Sequence, residues 1–347
     1  MRVNKVDRIA QSVLYGSELP APRELGDADF YTLRSDCYKQ PCVCVLGVFD
    51  GLHEGHQGLL ASAKKDAEAR NVPLVAVTFL PDPVEVLFDG SPRRLLSGED
   101  RLRALAAWGV DGILVHHFTR EFAALSATQY VEDKLLPSVS AVSVHVGSDF
   151  GLGAQGAEGS TLLTSLGHKH GFEVHAHELF CSGGQKISAT RIRDLLEQGK
   201  VEEAASLLGR WHFLSGVVKH GRGQGTGFGF PTANVALDLH DCIPQDGVYA
   251  CYVVHGATAW PAAVNVGKAP SFESQTGPLL EANLLGFSGN LYDSEVQTVF
   301  VKRLRESKKF DSLEELKCAV RGNIDWVAQN LGTTSYNLGS GEVEDDN

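Results

Sequence analysis

Apolar positions change their spacing once along this chain, and the change divides it. Before about residue 210, short unbroken apolar runs alternate with longer stretches of helical period. Residues 42–46 (CVCVL), 74–79 (LVAVTF), 113–116 and 142–146 have the length and residue types of buried parallel strands. Helical spacing begins at Leu52, runs through residues 62–70 and stops at Asn71-Val72-Pro73; it returns over 98–108 and 126–136. Strand, helix and strand at this spacing predict βαβ units with right-handed crossovers, hence an α/β domain with a parallel sheet. Pro81-Asp82-Pro83 forces an irregular loop at the carboxyl end of 74–79, where ligand crevices lie in open α/β sheets. Residues 1–40 carry few strong signals and are expected to lead into the sheet through a strand or helix.

Past Arg210 the runs shorten and begin to alternate, at 213–218, 248–254, 260–264, 279–285 and 296–304, with Gly and Pro between them. Short strands at such regular intervals indicate an antiparallel barrel or sandwich. One amphipathic helix is expected near 313–328, and residues 333–347 are polar and acidic without apolar period, the pattern of a disordered tail.

Composition narrows the partners. A length of 347 residues allows two separate cores, and a formal net charge of -12 argues against bulk nucleic acid or an anionic membrane surface as partner, though not against a nucleotide held by a local loop. No run reaches membrane-spanning length, and the N-terminus has no secretory h-region. Seven cysteines without a CxxC suit reduced, buried thiols of a cytoplasmic protein, with Cys42 and Cys44 in the core of the first strand. His168, His170, His175 and His177 form a loose cluster around Gly171, read as exposed histidines on a turn and a strand rather than as a metal site.

The chemistry concentrates first at residues 42–60 (CVCVLGVFDGLHEGHQGLL), where a strand passes through a glycine-rich turn into a helix. Free backbone N–H groups and the positive end of a helix dipole make such a turn an anion site. His53 and His56, three apart, share one side of a helical first turn and are placed to donate to the same phosphate. Residues 47–56 resemble, intact, the (G)xFDGxHxGH signature of the nucleotidyltransferase superfamily. That resemblance implies ATP binding by Gly47, Phe49, Asp50, Gly51, His53 and His56, the two histidines stabilising charge on the α-phosphate as pyrophosphate leaves. Residues 187–193 (ISATRIR) follow a glycine-rich loop into a helix and resemble the ISSTxxR motif of flavin-adenylating nucleotidyltransferases. Ser188, Thr190 and Arg193 are thereby implied in the ATP site, with Ala189 standing where a second Ser is usual. Phe79, Asp149 and Phe150 are the flavin-side residues that the resemblance implies.

The barrel opens with GVVKHGRGQGTGFGFPTANV at residues 216–235, a glycine loop whose backbone can approach a ligand. Thr232 and Asn234, two apart in extended chain, point to one side and offer neutral oxygens suited to Mg²⁺. The segment resembles the HGxxxGRxxGFPTAN signature of riboflavin kinases, with GFPTAN intact. It implies ATP contacts at Gly221 and Gly229 and metal ligation by Thr232 and Asn234. Residues 280–293 resemble the family's glutamate-containing strand, which makes Glu281 the implied base for the riboflavin 5′-hydroxyl. The order of the two halves resembles the bacterial bifunctional riboflavin kinase/FAD synthetases over nearly the whole chain. The resemblance implies an α/β nucleotidyltransferase domain at 1–187, linker helices at 188–209 that contribute to the ATP site, a β-barrel kinase at 210–331 with its C-terminal helix, and a tail at 332–347. The expected substrates are riboflavin, FMN and ATP, the expected cofactor Mg²⁺.

Several positions depart from the family pattern. Gln224 and Thr226 stand where it places arginine, Ala269 and Ser271 where it has Arg and Thr, and Gly286 and Asn290 where it has aspartates. In the first half, Asp82 replaces a common His and Gly151-Leu152 replaces Arg-Phe, both toward the flavin. These departures keep two rival readings open: an FMN adenylyltransferase with a weakened kinase, and a non-catalytic flavin- and nucleotide-binding sensor.

Overall fold

Valine, leucine and cysteine fill the central strands of the first sheet because both of its faces are covered. In the computed structural model of the chain, residues 4–34, 37–90, 92–153, 159–178, 180–220, 230–267 and 279–339 are described. The chain divides into two compact units, Gly16–Ala189 and Met1–Tyr15 with Thr190–Asn347.

The Gly16–Ala189 unit is built on β1 (Arg23–Glu24), β2 (Ala28–Thr32), β3 (Pro41–Leu46), β4 (Leu74–Leu80), β5 (Gly112–His117), β6 (Ser140–Gly147) and β7 (Glu173–His177), in the order β1-β2-β5-β4-β3-β6-β7. Strands β5, β4, β3, β6 and β7 are parallel; β1 and β2 pair antiparallel at one edge. The chain winds one way from β3 to β4 and β5, then returns to the other side of β3 for β6 and β7. The carboxyl ends of β3 and β6 therefore flank a topological switch point, where open α/β sheets hold their ligands. Helix α2 (Glu54–Arg70) buries Leu59, Leu60, Ala63 and Ala67 and ends on Asn71 in the left-handed region. Asp82 caps the short α3 (Pro83–Leu87), and Ser97 caps α4 (Gly98–Trp108). Residues 126–136, expected as one helix, are interrupted: after Ala127–Gln129, Tyr130–Leu135 widens into a π-helical turn before Leu136–Ser138. Pro137 has no N–H to continue an α-ladder there, which accounts for the break. A small hairpin of β8 (Cys181–Ser182) and β9 (Gln185–Lys186) completes the unit.

The second unit is a closed antiparallel barrel. Strands β10 (His212–Lys219), β11 (Ala233–Ala236), β12 (Gly247–His255), β13 (Thr258–Gly267), β14 (Leu279–Leu284) and β15 (Glu295–Glu306) follow the order β12-β15-β10-β11-β14-β13, and β13 pairs back to β12. Closure removes free sheet edges. Val235, Tyr249, Cys251, Val253, Val264, Leu280 and Phe300 are fully buried there. The C-terminal helix, Leu313–Leu331, starts at the Ser312 cap. Helix α1 (Lys5–Ser12) belongs to this unit rather than to the sheet that follows it in sequence: Trp211 N–H donates to Ser12 Oγ at 3.2 Å, and the Arg8 guanidinium lies 4.2 Å from the Trp211 ring centre. Of the segment after Gly332, expected to lack structure, residues 340–347 lie outside the described residues, whereas Tyr336–Asn337 pairs as β16 with Thr258 and Ala259 and Leu338 is buried. Backbone pairing and one apolar anchor hold it without any apolar period. Of the seven cysteines, Cys37, Cys42, Cys44, Cys242 and Cys251 are buried as expected, whereas Cys181 and Cys318 are exposed.

Candidate functional site

The turn after β3 is shaped by backbone conformations that few residues accept. Phe49 sits in the left-handed region at φ 60 and is fully buried, and Gly51 has φ 75. A Cβ at Gly47 would lie 3.0 Å from the Phe49 ring, so the ring and the absent side chain fit each other. A single 3₁₀ turn, Asp50–Leu52, then delivers His53. His53 is extended, not helical: it is the N-cap of α2, and its Nδ1 accepts from the His56 N–H at 3.3 Å. His56 lies in the first turn, and the two rings stack at 3.7 Å between centres, 10° from parallel. His53 and His56 thus come together, with one acting as a cap, which spacing alone did not indicate. Burial, and next the neighbouring His53, hold His56 well below its ordinary pKa, so its ring is neutral at neutral pH. Its Nδ1 is buried without a hydrogen-bond partner. The Ile187 carbonyl would lie 3.5 Å from a Cβ at Gly55, which brings the start of the ISATRIR segment beside this helix terminus. Ser188 follows it, half-buried. Thr190 and Arg193 open the helix Ala189–Glu197 of the other compact unit.

Asp50 is 5% exposed, and its carboxylate accepts from the Leu95 N–H at 3.0 Å and the Leu96 N–H at 3.2 Å. It fastens the turn to the segment leading into α4. The second fastening is Arg101, which sequence reasoning missed. Arg101 is 3% exposed; it donates to the Val48 and Phe79 carbonyls, both at 3.0 Å, and meets Asp82 at 3.4 Å. One guanidinium thus ties the exits of β3 and β4 to the Pro81-Asp82-Pro83 loop. A signal was available, since Arg101 shares the helical stripe of Leu105 (i+4) and Trp108 (i+7), an odd place for a surface charge.

Beside this turn an apolar cavity of about 340 Å³ is lined by Val48, Phe79, Phe118, Phe122, Tyr130, Phe150 and Leu152, among others. Phe79 and Phe150 therefore meet on one cavity wall, while Asp149 is ion-paired to Lys186 and does not line it. The Tyr130 hydroxyl is buried without a partner, and behind it lies His116, fully buried with both ring nitrogens unpaired among Phe79, Phe122 and Tyr130. Burial lowers His116 to about 4, with Asp27 opposing and Lys134 adding to the effect.

In the barrel, cross-strand register assembles the second group. Glu281 on β14 stands directly opposite Asn234 on β11 and Asn265 on β13, and directly paired residues share a face. Asn265 Nδ2 lies 3.4 Å from Glu281 Oε2, and Asn283 donates to the Pro231 carbonyl at 2.8 Å. A cavity of about 310 Å³ is lined by Thr232, Asn265, Glu281, Asn283, Arg305 and Lys308, among others. Arg305 and Lys308 are cations that the sequence reading missed, because the strand expected over 296–304 stopped one residue short of Arg305. Thr232 and Asn234 offer neutral side-chain oxygens, hard donors of the kind Mg²⁺ takes, so these residues fit the ion. Gly221, Gln224, Thr226, Gly229, Ala269 and Ser271 lie outside the described residues.

Two family models match the chain, FAD synthetase over residues 36–191 and Riboflavin kinase over residues 208–331. The bifunctional riboflavin kinase/FMN adenylyltransferase of Escherichia coli (strain K12) is 38% identical over 289 residues, covering 82% of this chain and 91% of that protein. This chain belongs to the bifunctional riboflavin kinase/FMN adenylyltransferase family. Relatives of the same description in Pseudomonas fluorescens and Bacillus subtilis (strain 168) are each 34% identical, over 284 and 279 residues, covering 82% and 79% of this chain and 91% and 87% of theirs. A crystal structure described as a macrolide-efflux protein from Streptococcus pneumoniae superposes with a TM-score of 0.75 at 31% identity, covering 84% of this chain and 94% of that one. Among the described residues, no helix is long and apolar enough to cross a membrane. The two-domain order expected of the family, α/β nucleotidyltransferase then kinase barrel with a C-terminal helix, is the architecture found.

Proposed function

We propose that the barrel phosphorylates riboflavin with ATP to give FMN, and that the α/β unit transfers AMP from a second ATP to FMN, releasing pyrophosphate and FAD. The observation that carries the reading is the presence in one family member of both constellations: the stacked His53–His56 pair at a helix N-terminus, and the Asn234–Glu281–Asn265 row.

In the adenylyl transfer a phosphate oxygen of FMN attacks the α-phosphorus of ATP and pyrophosphate leaves. Charge grows on the α-phosphate oxygens, and donors fixed in advance lower that barrier most. The first N–H groups of α2 and the unpaired ring nitrogen of His56 are such donors, with His53 orienting His56 by capping and stacking. Gly47, Phe49, Asp50 and Gly51 shape the loop that carries them. Ser188 stands beside it as a hydroxyl donor, and Thr190 and Arg193 are assigned to the phosphates on their motif alone. The aromatic cavity with Phe79 and Phe150 suits the flavin ring, and the unpaired Tyr130 hydroxyl offers a hydrogen bond to its polar edge.

In the kinase step Glu281 takes the proton of the riboflavin 5′-hydroxyl as its oxygen attacks the γ-phosphorus and ADP leaves. Thr232 and Asn234 would hold Mg²⁺, which supplies charge neutralisation on the phosphates. Arg305 and Lys308 supply positive charge to the same cavity. Incubation of the full chain with riboflavin, ATP and Mg²⁺, followed by chromatography, tests both steps. FAD is the expected product; FMN alone would remove the adenylyl transfer, and FAD formed only from supplied FMN would remove the kinase.

A further inference from the structure

We propose that Asp66, His145 and His175 form a binding site for a divalent d-block cation, Zn²⁺ foremost. It lies within the Gly16–Ala189 unit and is separate from both proposed substrate sites. Each of the three offers one ligand atom, and these atoms lie within 4.8 Å of one another. His145 Nε2 and Asp66 Oδ2 are 3.1 Å apart, close to the roughly 3.3 Å between neighbouring ligands of a tetrahedral ion with bonds of about 2.0–2.1 Å.

The surroundings orient each donor. His145 is 3% exposed, and its Nδ1 lies 2.8 Å from His177 Nε2. With the hydrogen on Nδ1 and donated to His177, the Nε2 lone pair faces the Asp66 carboxylate. Two acceptors then face each other across a gap that a cation fills, and an outer hydrogen bond fixing a ligating histidine is the usual arrangement. Asp66 gives its other oxygen to Arg70 Nε at 2.8 Å, which holds the carboxylate and leaves Oδ2 for the ion. Arg70 also binds Glu173 at 2.6 Å, so two carboxylates and one guanidinium leave one net negative charge beside the site. His175 Nε2 is a buried atom with no hydrogen bond; its neighbour is the Glu173 carboxylate at 3.5 Å. Zinc takes imidazole and carboxylate together, and three protein ligands leave a fourth place for water. The ion would join α2 to β6 and to the edge strand β7, a clasp on the helix that starts at His53.

The rival is protons alone: His177 donating to His145 Nδ1, and His145 Nε2–H donating to Asp66. Zn²⁺ titration of the chelator-stripped full chain against a chromophoric chelator separates the two, with Co²⁺ absorption as a probe of coordination and calorimetry as a second readout. The expected result is one Zn²⁺ per chain that raises the unfolding temperature. Affinity should fall at least about tenfold in His175→Gln and in Asp66→Asn. His56→Ala should keep the ion, since the stacked His53–His56 pair is the other place it could lodge. A parent chain that binds Zn²⁺ no better than His175→Gln overturns the site, and so does binding lost in His56→Ala but retained in His175→Gln.

Discussion

Arg101→Met removes the guanidinium that ties the β3 and β4 exits together, and the loss can be bounded from its partners. The Phe79 carbonyl would be left without that donor inside the unit, at a cost of about 1–3 kcal/mol. The Val48 carbonyl fares better, because the Thr78 hydroxyl also donates to it at 3.1 Å. Asp82 loses a partner at 3.4 Å but keeps the Val84 N–H it caps. Methionine fills similar volume, but removing one partner of a buried ion pair leaves the other charge uncompensated, typically about 3–5 kcal/mol net of desolvation, and the 15% exposure of the Asp82 side chain lowers that. The expected net loss is about 2–4 kcal/mol, a large share of a typical 5–15 kcal/mol. Arg101→Lys keeps the charge but serves one carbonyl, and should lose about half as much. Trp108 lies in the same unit, so urea unfolding followed by its fluorescence, with Trp211, Trp260 and Trp326 replaced by phenylalanine, reads this transition alone. A loop displaced by about 1 Å can cost 10²-fold in rate, so FAD formation from FMN should fall at least tenfold while riboflavin phosphorylation is unchanged. A loss under about 1 kcal/mol with FAD formed at the parent rate would refute the tethering role.

His56→Ala should lower FMN-to-FAD conversion by about 10²–10³ and spare riboflavin phosphorylation; FAD made at the parent rate would place the phosphate donors elsewhere. Glu281→Gln keeps the shape and removes the base, so FMN formation should stop while adenylation of supplied FMN continues, and an active variant would refute the assignment. His116 supplies a pH test. Its pKa is lowered by burial from 6.5 to about 4, so above pH 6.5 its contribution to stability is complete. Between pH 6.5 and 4 the unfolded chain accepts a proton that the folded chain refuses, and stability falls by up to about 1.4 kcal/mol per pH unit, about 3 kcal/mol in all. In His116→Phe that part of the acid sensitivity should vanish, whereas a constant difference from the parent across the range would mean that the buried ring titrates normally.

Most of the scaffold was legible because its signals are local. Run length and flanking glycines located the central parallel strands, and alternation located five of the six barrel strands. The sixth, β11, is four residues long and follows a glycine loop, so it had too few positions to show a period. Asp50 shows the limit from another side: its backbone partners lie 45 residues away, and no spacing rule distinguishes a carboxylate facing a ligand from one that fastens a loop. Arg305 escaped because the expected strand ended before it, whereas Arg101 left a sequence signal as a charge on an apolar helical stripe, but its partners at Val48 and Phe79 did not. The histidines near Gly171 looked ligand-poor for the same reason, since Asp66 and His145 reach that neighbourhood from separate elements.

The docking of α1 has a consequence for synthesis. Its Ser12 waits for Trp211, 199 residues further along the chain. At about 5–20 residues per second that is roughly 10–40 s during which the apolar side of the first helix has nothing to pack against. In that interval Gly16–Ala189 emerges whole and can fold as a finished body, a loop between two pieces of a single partner still being made. A ribosome stalled with Ala189 outside the exit tunnel and Trp211 still inside it would therefore carry a folded Gly16–Ala189 unit behind an undocked N-terminus. Shortening that N-terminus should in turn disturb the barrel encoded last, not the sheet encoded next.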